Sequence, residues 1–130
     1  MKQVYTSETV VQYSDFCDVP LFTTEELEKT LQHMRKKRCA DKDGIVLEMF
    51  LHGGKQHFDS LLSCLNSVLL DGCVPSSWCE TFFTLLHKGG PTNDANNWRP
   101  ITILSITYKI LARLVYHRIR YQLDSHQSED

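Results

Sequence analysis

Lys88 and Arg99 stand at the two ends of a stretch dense in Gly, Pro, Asn and Asp. Apolar residues lead into it (Phe82, Phe83, Leu85, Leu86) and out of it (Ile101, Ile103, Leu104). Strand formers around turn formers predict two strands and a loop, an antiparallel hairpin over about residues 80–104. Such a hairpin holds one Lys where its loop begins and one Arg where it ends, so both cations can face one anion. A guanidinium forks two phosphate oxygens and an ammonium adds a mobile charge, each charged hydrogen bond contributing about 1.5–3 kcal/mol. The competing reading is an ion pair of Arg99 with an acid such as Asp94 across the loop. Pattern alone does not separate the two.

Other chemistries find less support. Asp41-x-Asp43-Gly44 looks like the start of a calcium loop, but Phe50 then occupies the position of the bidentate Glu. Gly53-Gly54-Lys55 lacks the spaced first Gly and the following Ser or Thr of a phosphate loop. Five Cys (17, 39, 64, 73, 79) form no CxxC pair, and neither they nor the six His show zinc-ligand spacing. An odd, unpaired set of cysteines argues for a reducing, intracellular setting. No apolar stretch reaches the length of a membrane span, and the first residues carry no apolar signal core.

The elements that would position the hairpin are mostly helical. Residues 1–21 are acidic and weakly periodic, expected as an arm or linker with a short strand around Val10–Tyr13. Thr23 and Glu26 fit a capping box that opens a helix through Leu27, Leu31 and Met34. Arg35, Lys36, Lys37 and Arg38 are expected in its last turn, where cations suit the dipole. A loop at 39–44 precedes a short helix through Ile45, Glu48, Met49 and Phe50, with Gly53 and Gly54 ending one helix and beginning another. Phe58, Leu61, Leu62, Leu65, Val68 and Leu69 then form the strongest amphipathic pattern, stopped by Gly72 and Pro75. Trp78 is expected to start the first strand, and Ser105 to cap a last helix. Ile106, Ile110, Leu111, Leu114 and Val115 form that helix's expected buried face, with Lys109, Arg113, Arg118 and Arg120 on its outside. Trp78, Trp98 and Tyr108 read as packing residues.

Length and charge fit one soluble α+β domain. The 130 residues are 42% hydrophobic and 23% charged with a net charge of −2, so the whole is no basic nucleic-acid binder. The distribution is uneven. Residues 1–28 hold one basic and six acidic residues, whereas residues 29–130 hold 13 and 10. From Arg99 to Arg120, both included, there are five Lys or Arg and no acid. That stripe is compatible with phosphate contact, and equally with a solvated helix face.

Four motifs in order carry a resemblance over residues 22–127. They are Phe22-Thr23-Thr24-Glu25-Glu26-Leu27 with the basic run that follows, Asp43-Gly44-Ile45-Val46-Leu47-Glu48, Leu65-Asn66 through Gly72-Cys73-Val74-Pro75-Ser76-Ser77-Trp78, and Asn97-Trp98-Arg99-Pro100-Ile101-Thr102-Ile103-Leu104-Ser105-Ile106-Thr107-Tyr108-Lys109-Ile110. Together they resemble the N-terminal, fingers portion of a reverse transcriptase of the non-LTR retrotransposon (LINE-like) type. One departure is the loop before Asp43-Gly44, A-P-G-P or similar in the family and Cys39-Ala40-Asp41-Lys42 here. Loss of Gly removes easy positive φ, and an added carboxylate would repel a nearby phosphate backbone. Both count against carrying over the template contact that the family assigns to that loop.

The resemblance implies a partial reverse transcriptase domain over residues 22–130, the fingers without the palm. It places Lys88 and Arg99 on the incoming nucleotide's triphosphate. Arg35, Lys36, Lys37, Arg38, Lys109, Arg113, Arg118 and Arg120 become candidate contacts to an RNA or DNA template. The family's catalysis uses two Mg2+ ions held by palm carboxylates, and no F/Y-x-D-D turn occurs here. The implied chain is thus an RNA-directed DNA polymerase fragment, inactive alone and without a cofactor, binding nucleotide or strand weakly. Self-association through the surface a palm would cover also follows. The alternative is a small helical protein-interaction module with no nucleic-acid role and no membrane.

Overall fold

The structure, a computed structural model, describes residues 19–127, so most of the expected arm and its strand at Val10–Tyr13 lie outside the described residues. Helix α1 (Thr24–His33) starts on the expected capping box. The Glu26 N–H donates to Thr23 Oγ1 (3.2 Å) and the Thr23 N–H to Glu26 Oε2 (2.8 Å). The helix ends at His33, so the run 35–38 falls beyond its last turn rather than within it. A left-handed backbone at Lys37 (φ 55°) turns the chain there, and the Lys37 N–H is bound by Glu48 Oε1 (2.6 Å). Glu48 lies in helix α2 (Leu47–His52), which begins two residues after Ile45. Helix α3 (Gly54–Asp71) follows directly through the two glycines and stops at Gly72, whose φ of 65° suits a residue without Cβ.

Trp78 does not open a strand. It sits in a short helix α4 (Ser76–Cys79), where the Trp78 N–H bonds the Pro75 carbonyl and its ring packs against the core. Proline at the turn before the helix favours that geometry over an extended start. Strands β1 (Phe82–His87) and β2 (Trp98–Ile103) then pair antiparallel, Phe82 opposite Ile103 and His87 opposite Trp98. The last helix, α5 (Ile106–Gln127), closes the order. The fold is α+β, mostly helical with one two-stranded antiparallel sheet.

The core lies between α1, α2, α3 and α5. Phe22, Leu27, Leu31, Leu47, Leu61, Leu65, Ile110 and Leu114 are buried there, Leu27, Leu65 and Ile110 completely. Burial at about 1.5–3 kcal/mol per large apolar side chain makes this contact the main source of cohesion. Val115, expected inside, is exposed because the buried stripe of α5 runs through Ile106, Ile110, Leu111 and Leu114 and leaves it at the margin. The hairpin stands largely clear of the helices, with Ile103 the only buried residue of β1 and β2.

Two polar ties brace this core. The Phe22 N–H donates to Asn66 Oδ1 (2.7 Å) while Asn66 Nδ2 donates to the Phe22 carbonyl (3.2 Å), fastening the chain before α1 to α3. Asp41 is the stronger tie, at 5% exposure. Its Oδ1 accepts the N–H groups of Asp43 (3.0 Å) and Ile45 (2.9 Å), and its Oδ2 accepts that of Ile106 (3.0 Å). Asp41 thus serves the first N–H of α5, while Ser105 stands at the expected cap position, its carbonyl accepting the Lys109 N–H (3.1 Å). Residues 39–42 adopt no positive φ, so the glycine missing from this loop is not needed. The added carboxylate is occupied by backbone donors rather than turned toward a strand.

Asp41→Ala removes the acceptor of three N–H groups and is expected to lower the unfolding free energy by about 3 kcal/mol. Asp41→Asn keeps one acceptor oxygen and should lose less. Urea unfolding followed by circular dichroism measures both, and a loss under about 1 kcal/mol for the alanine variant would deny Asp41 this role.

Candidate nucleic-acid interface

The hairpin brings its two cations to one end. Arg99 lies opposite Leu86 in the ladder, and Lys88 continues it by donating its N–H to the Asn97 carbonyl (2.7 Å). The Lys88 ammonium rests on the Asn96 carbonyl (3.2 Å), an acceptor in open solvent that it can exchange for a ligand. Arg99 is exposed and, among the described residues, has no ion-pair partner. Asp94 is engaged elsewhere. It accepts the Asn96 N–H (2.9 Å) and Asn96 Nδ2 (3.0 Å), capping the 3-10 turn Ala95–Asn97. The cross-loop pair proposed as the competing reading therefore does not form.

The loop carrying these cations is braced from within. Asn97 Nδ2 donates to the Pro91 carbonyl (2.9 Å), and the Trp98 indole N–H to the Thr92 carbonyl (3.0 Å). The Trp98 ring meets His87 at 4.9 Å between centroids, which fixes it as a packing residue of the hairpin end. Gly90 is required by space as well as by its φ of 86°, because a Cβ there would meet Asn97 Nδ2 at 2.8 Å. A loop so held presents Lys88 and Arg99 from a defined backbone, which lowers the ordering cost of a contact.

The eight other candidate cations divide into four groups. Arg35 and Arg38 line one small cavity together with Lys109 and Arg113 of α5, so two stretches far apart in sequence meet. Lys36 and Lys37, between them in sequence, do not line it. Arg120 pairs with Asp124 (3.4 Å) one turn along the same helix, an exposed pair that contributes little.

Arg118 is drawn inward. Its Nε donates to Glu26 Oε1 (2.8 Å), and its Nη2 to Glu26 Oε2 (2.8 Å) and the Leu21 carbonyl (2.8 Å). Nη1 donates to the Pro20 carbonyl, and the guanidinium carbon lies 4.5 Å from the centre of the Phe22 ring. Arg118, one of the expected template contacts, forms a clamp that joins α5 to the start of α1. The guanidinium's hydrogen-bonding edge is occupied, and a strand would have to displace Glu26 to reach it. Nothing local in the sequence marks this pair, because the partners are 92 residues apart. Asn66, Asp41 and Glu48 are the other polar residues whose roles only the fold reveals.

Among the described residues no group of three His, Cys, Asp or Glu side chains could hold a metal ion. No helix among them is long and apolar enough to cross a membrane.

The described residues thus form a mostly helical domain with an exposed, cation-bearing hairpin and a second basic cluster. Comparison with known proteins agrees with the sequence motifs. The chain is 30% identical over 102 residues (75% of its length) to an uncharacterized 149 kDa protein of transposon TX1 from Xenopus laevis. It is 36% identical over 61 residues (47%) to a retrovirus-related Pol polyprotein of the type-1 retrotransposable element R2 from Popillia japonica. It is 28% identical over 98 residues (75%) to the RNA-directed DNA polymerase of the mobile element jockey from Drosophila melanogaster. The chain is thus similar to proteins of non-LTR retrotransposons, and it spans 8%, 9% and 11% of the length of these three relatives. No family model matches it.

The Arg118 clamp predicts a pH effect. The Arg118 hydrogen bonds hold the Glu26 carboxyl below its ordinary value of 4.5, against a smaller opposing push from burial. A depressed folded pKa gives stability that is complete above the unfolded value and fades as pH falls through the folded one. Glu26→Gln is therefore expected to be less stable than the parent at pH 7 and to approach it below about pH 4. Denaturation at both pH values tests this. A stability gap that is the same at the two would remove the ion pair as its cause.

Proposed function

We propose that this chain is the fingers portion of a retroelement reverse transcriptase and that it contacts nucleotide and nucleic acid through phosphate groups. The observation that carries the reading is the hairpin. Lys88 and Arg99 share its loop end, Arg99 has no acid partner among the described residues, and the loop is rigidly braced. Similarity to an RNA-directed DNA polymerase supports nucleotide triphosphate as the anion. In this role Arg99 forks two phosphate oxygens and Lys88 supplies a movable charge beside it. The chain's own residues bind and orient, and an intracellular setting belongs to the same proposal.

Binding of a labelled deoxynucleoside triphosphate, followed by filter retention, should weaken as salt is raised. Arg99→Ala should weaken it a further tenfold or so, the loss of about 1.5 kcal/mol or more in charged hydrogen bonds. Retention that responds to neither change would overturn the assignment.

A second reading, a protein-interaction module, draws on the two faces of the hairpin. An antiparallel sheet commonly has one apolar face, yet Phe83 (69% exposed) and Leu86 (53% exposed) lie on opposite faces, both in solvent. Apolar surface of this kind favours association. Light scattering is expected to show mass rising with concentration, and Phe83→Ser is expected to suppress it. Unchanged monomer mass at high concentration would exclude self-association through these faces.

A further inference from the structure

The two edges of the hairpin are not equivalent. The Lys88 N–H points to β2, where it meets the Asn97 carbonyl, and backbone direction alternates along a strand. The polar backbone groups of Phe82, Thr84 and Leu86 therefore turn toward β2, and those of Phe83, Leu85 and His87 turn away from it. On β2 the groups that turn away belong to Trp98, Pro100 and Thr102. Pro100 has no N–H to offer, and the Trp98 N–H is already bound to the Ala95 carbonyl. A strand approaching β2 finds one donor, at Thr102. A strand approaching β1 finds three, and among the described residues none of them has an acceptor.

The β1 edge is also unguarded. Open edges are commonly protected by charge, proline or a bulge. Residues 81–87 contain no Asp, Glu, Lys, Arg or Pro, and their first flanking charges are Glu80 and Lys88. Phe82, Phe83, Leu85 and Leu86 are exposed, so no helix covers the edge.

What fits this edge is the same edge of another copy. In an antiparallel pair of β1 with β1, outward-facing residues must meet outward-facing residues about a twofold axis. Placing Thr84 on the axis does so, since Phe83 then meets Leu85 of the second copy. Phe82 lies opposite Leu86 on one face of the sheet and Phe83 opposite Leu85 on the other, each twice. Glu80 falls opposite Lys88, also twice, and its backbone is already extended (φ −71°, ψ 129°). Its Oε2 holds Lys42 Nζ (2.5 Å), and a carboxylate can accept from a second cation as well. Neighbouring registers match less well. Leu85 on the axis sets Phe82 against Lys88, and Phe83 on the axis sets Leu86 against Glu80. Matched apolar and opposite-charge cross-strand pairs are what select a register.

We propose that the β1 edge is a docking surface for a second copy of this chain, which adds its own β1 antiparallel with Thr84 on the twofold axis. The product is a four-stranded sheet in the order β2-β1-β1-β2. The proposal rests on hairpin association, the second reading of function, and moves the contact from the faces to one edge. Both β1 edges are then used and both outer edges carry Pro100, so strand pairing stops at two copies.

The test uses the full 130-residue chain. Amide exchange read by NMR at low and high protein concentration should slow at least about tenfold for Phe83, Leu85 and His87 as concentration rises. Thr84 and Leu86, whose N–H groups already face β2, should change less. Light scattering over the same range should level off at the mass of a dimer.

Glu80→Lys and Lys88→Glu should each weaken dimerisation about tenfold, whereas the two variants mixed should pair with each other, because every Lys then meets a Glu. Leu85→Pro removes an outward donor without touching the ladder to β2, and it should leave a monomer if either charge variant fails to fold. Protection of the three amides that ignores concentration would mean that another segment of the same chain fills the edge, and would overturn the proposal. So would charge variants that dimerise like the parent. Mass rising beyond a dimer without added amide protection would overturn the edge and leave association through the faces standing. A monomer at every concentration would overturn both.

Discussion

The Asp41 carboxylate is the constraint on which much of the arrangement depends. Three backbone N–H groups, two from its own loop and one from the distant start of α5, converge on its two oxygens. One is the first N–H of α5, so the position of that helix and of the hairpin just before it is tied to the loop at 41–45. A buried carboxylate without such donors would be costly, and a helix start without an acceptor would leave its own donors unpaired. Each solves the other's problem. The apolar core supplies most of the cohesion, but apolar contact is non-directional and does not by itself set where a helix begins.

Charge follows the same division between cohesion and placement. Arg118 adds a guanidinium clamp across α1 and α5, yet its carboxylate partner is partly exposed and the pair contributes modestly next to the buried leucines. Its effect is to orient, by binding the Pro20 and Leu21 carbonyls and covering Phe22. The hairpin has no comparable anchor in the core and is braced within its own loop. In the proposed function, this braced loop on a sheet that stands clear of the helices presents Lys88 and Arg99 to a ligand arriving from solvent.

Much of this was legible in the residues. The capping box at Thr23 and Glu26, the stop at Gly72 and the hairpin around Asn97-Trp98-Arg99-Pro100 are local devices, specified by neighbours in sequence. The errors share a cause. Arg35–Arg38 were expected inside a helix and Trp78 in a strand, but a turn held by Glu48 and a short helix after Pro75 intervene. Asp41 was read as a repelling charge, because nothing nearby shows that Ile106 will be its partner.

The sequence by itself determined the helices with strong apolar period, the one hairpin, the two cations on it and the resemblance to retrotransposon polymerases. These depend on period, turn chemistry and motif order, which act over a few residues. Only the tertiary structure decided which charges remain available. It withdrew Arg118 into a clamp, joined Arg35 and Arg38 to Lys109 and Arg113, and turned Asp41 inward. The reason is physical: the partner that neutralises or gathers a charge is chosen by packing between segments that sequence spacing keeps far apart.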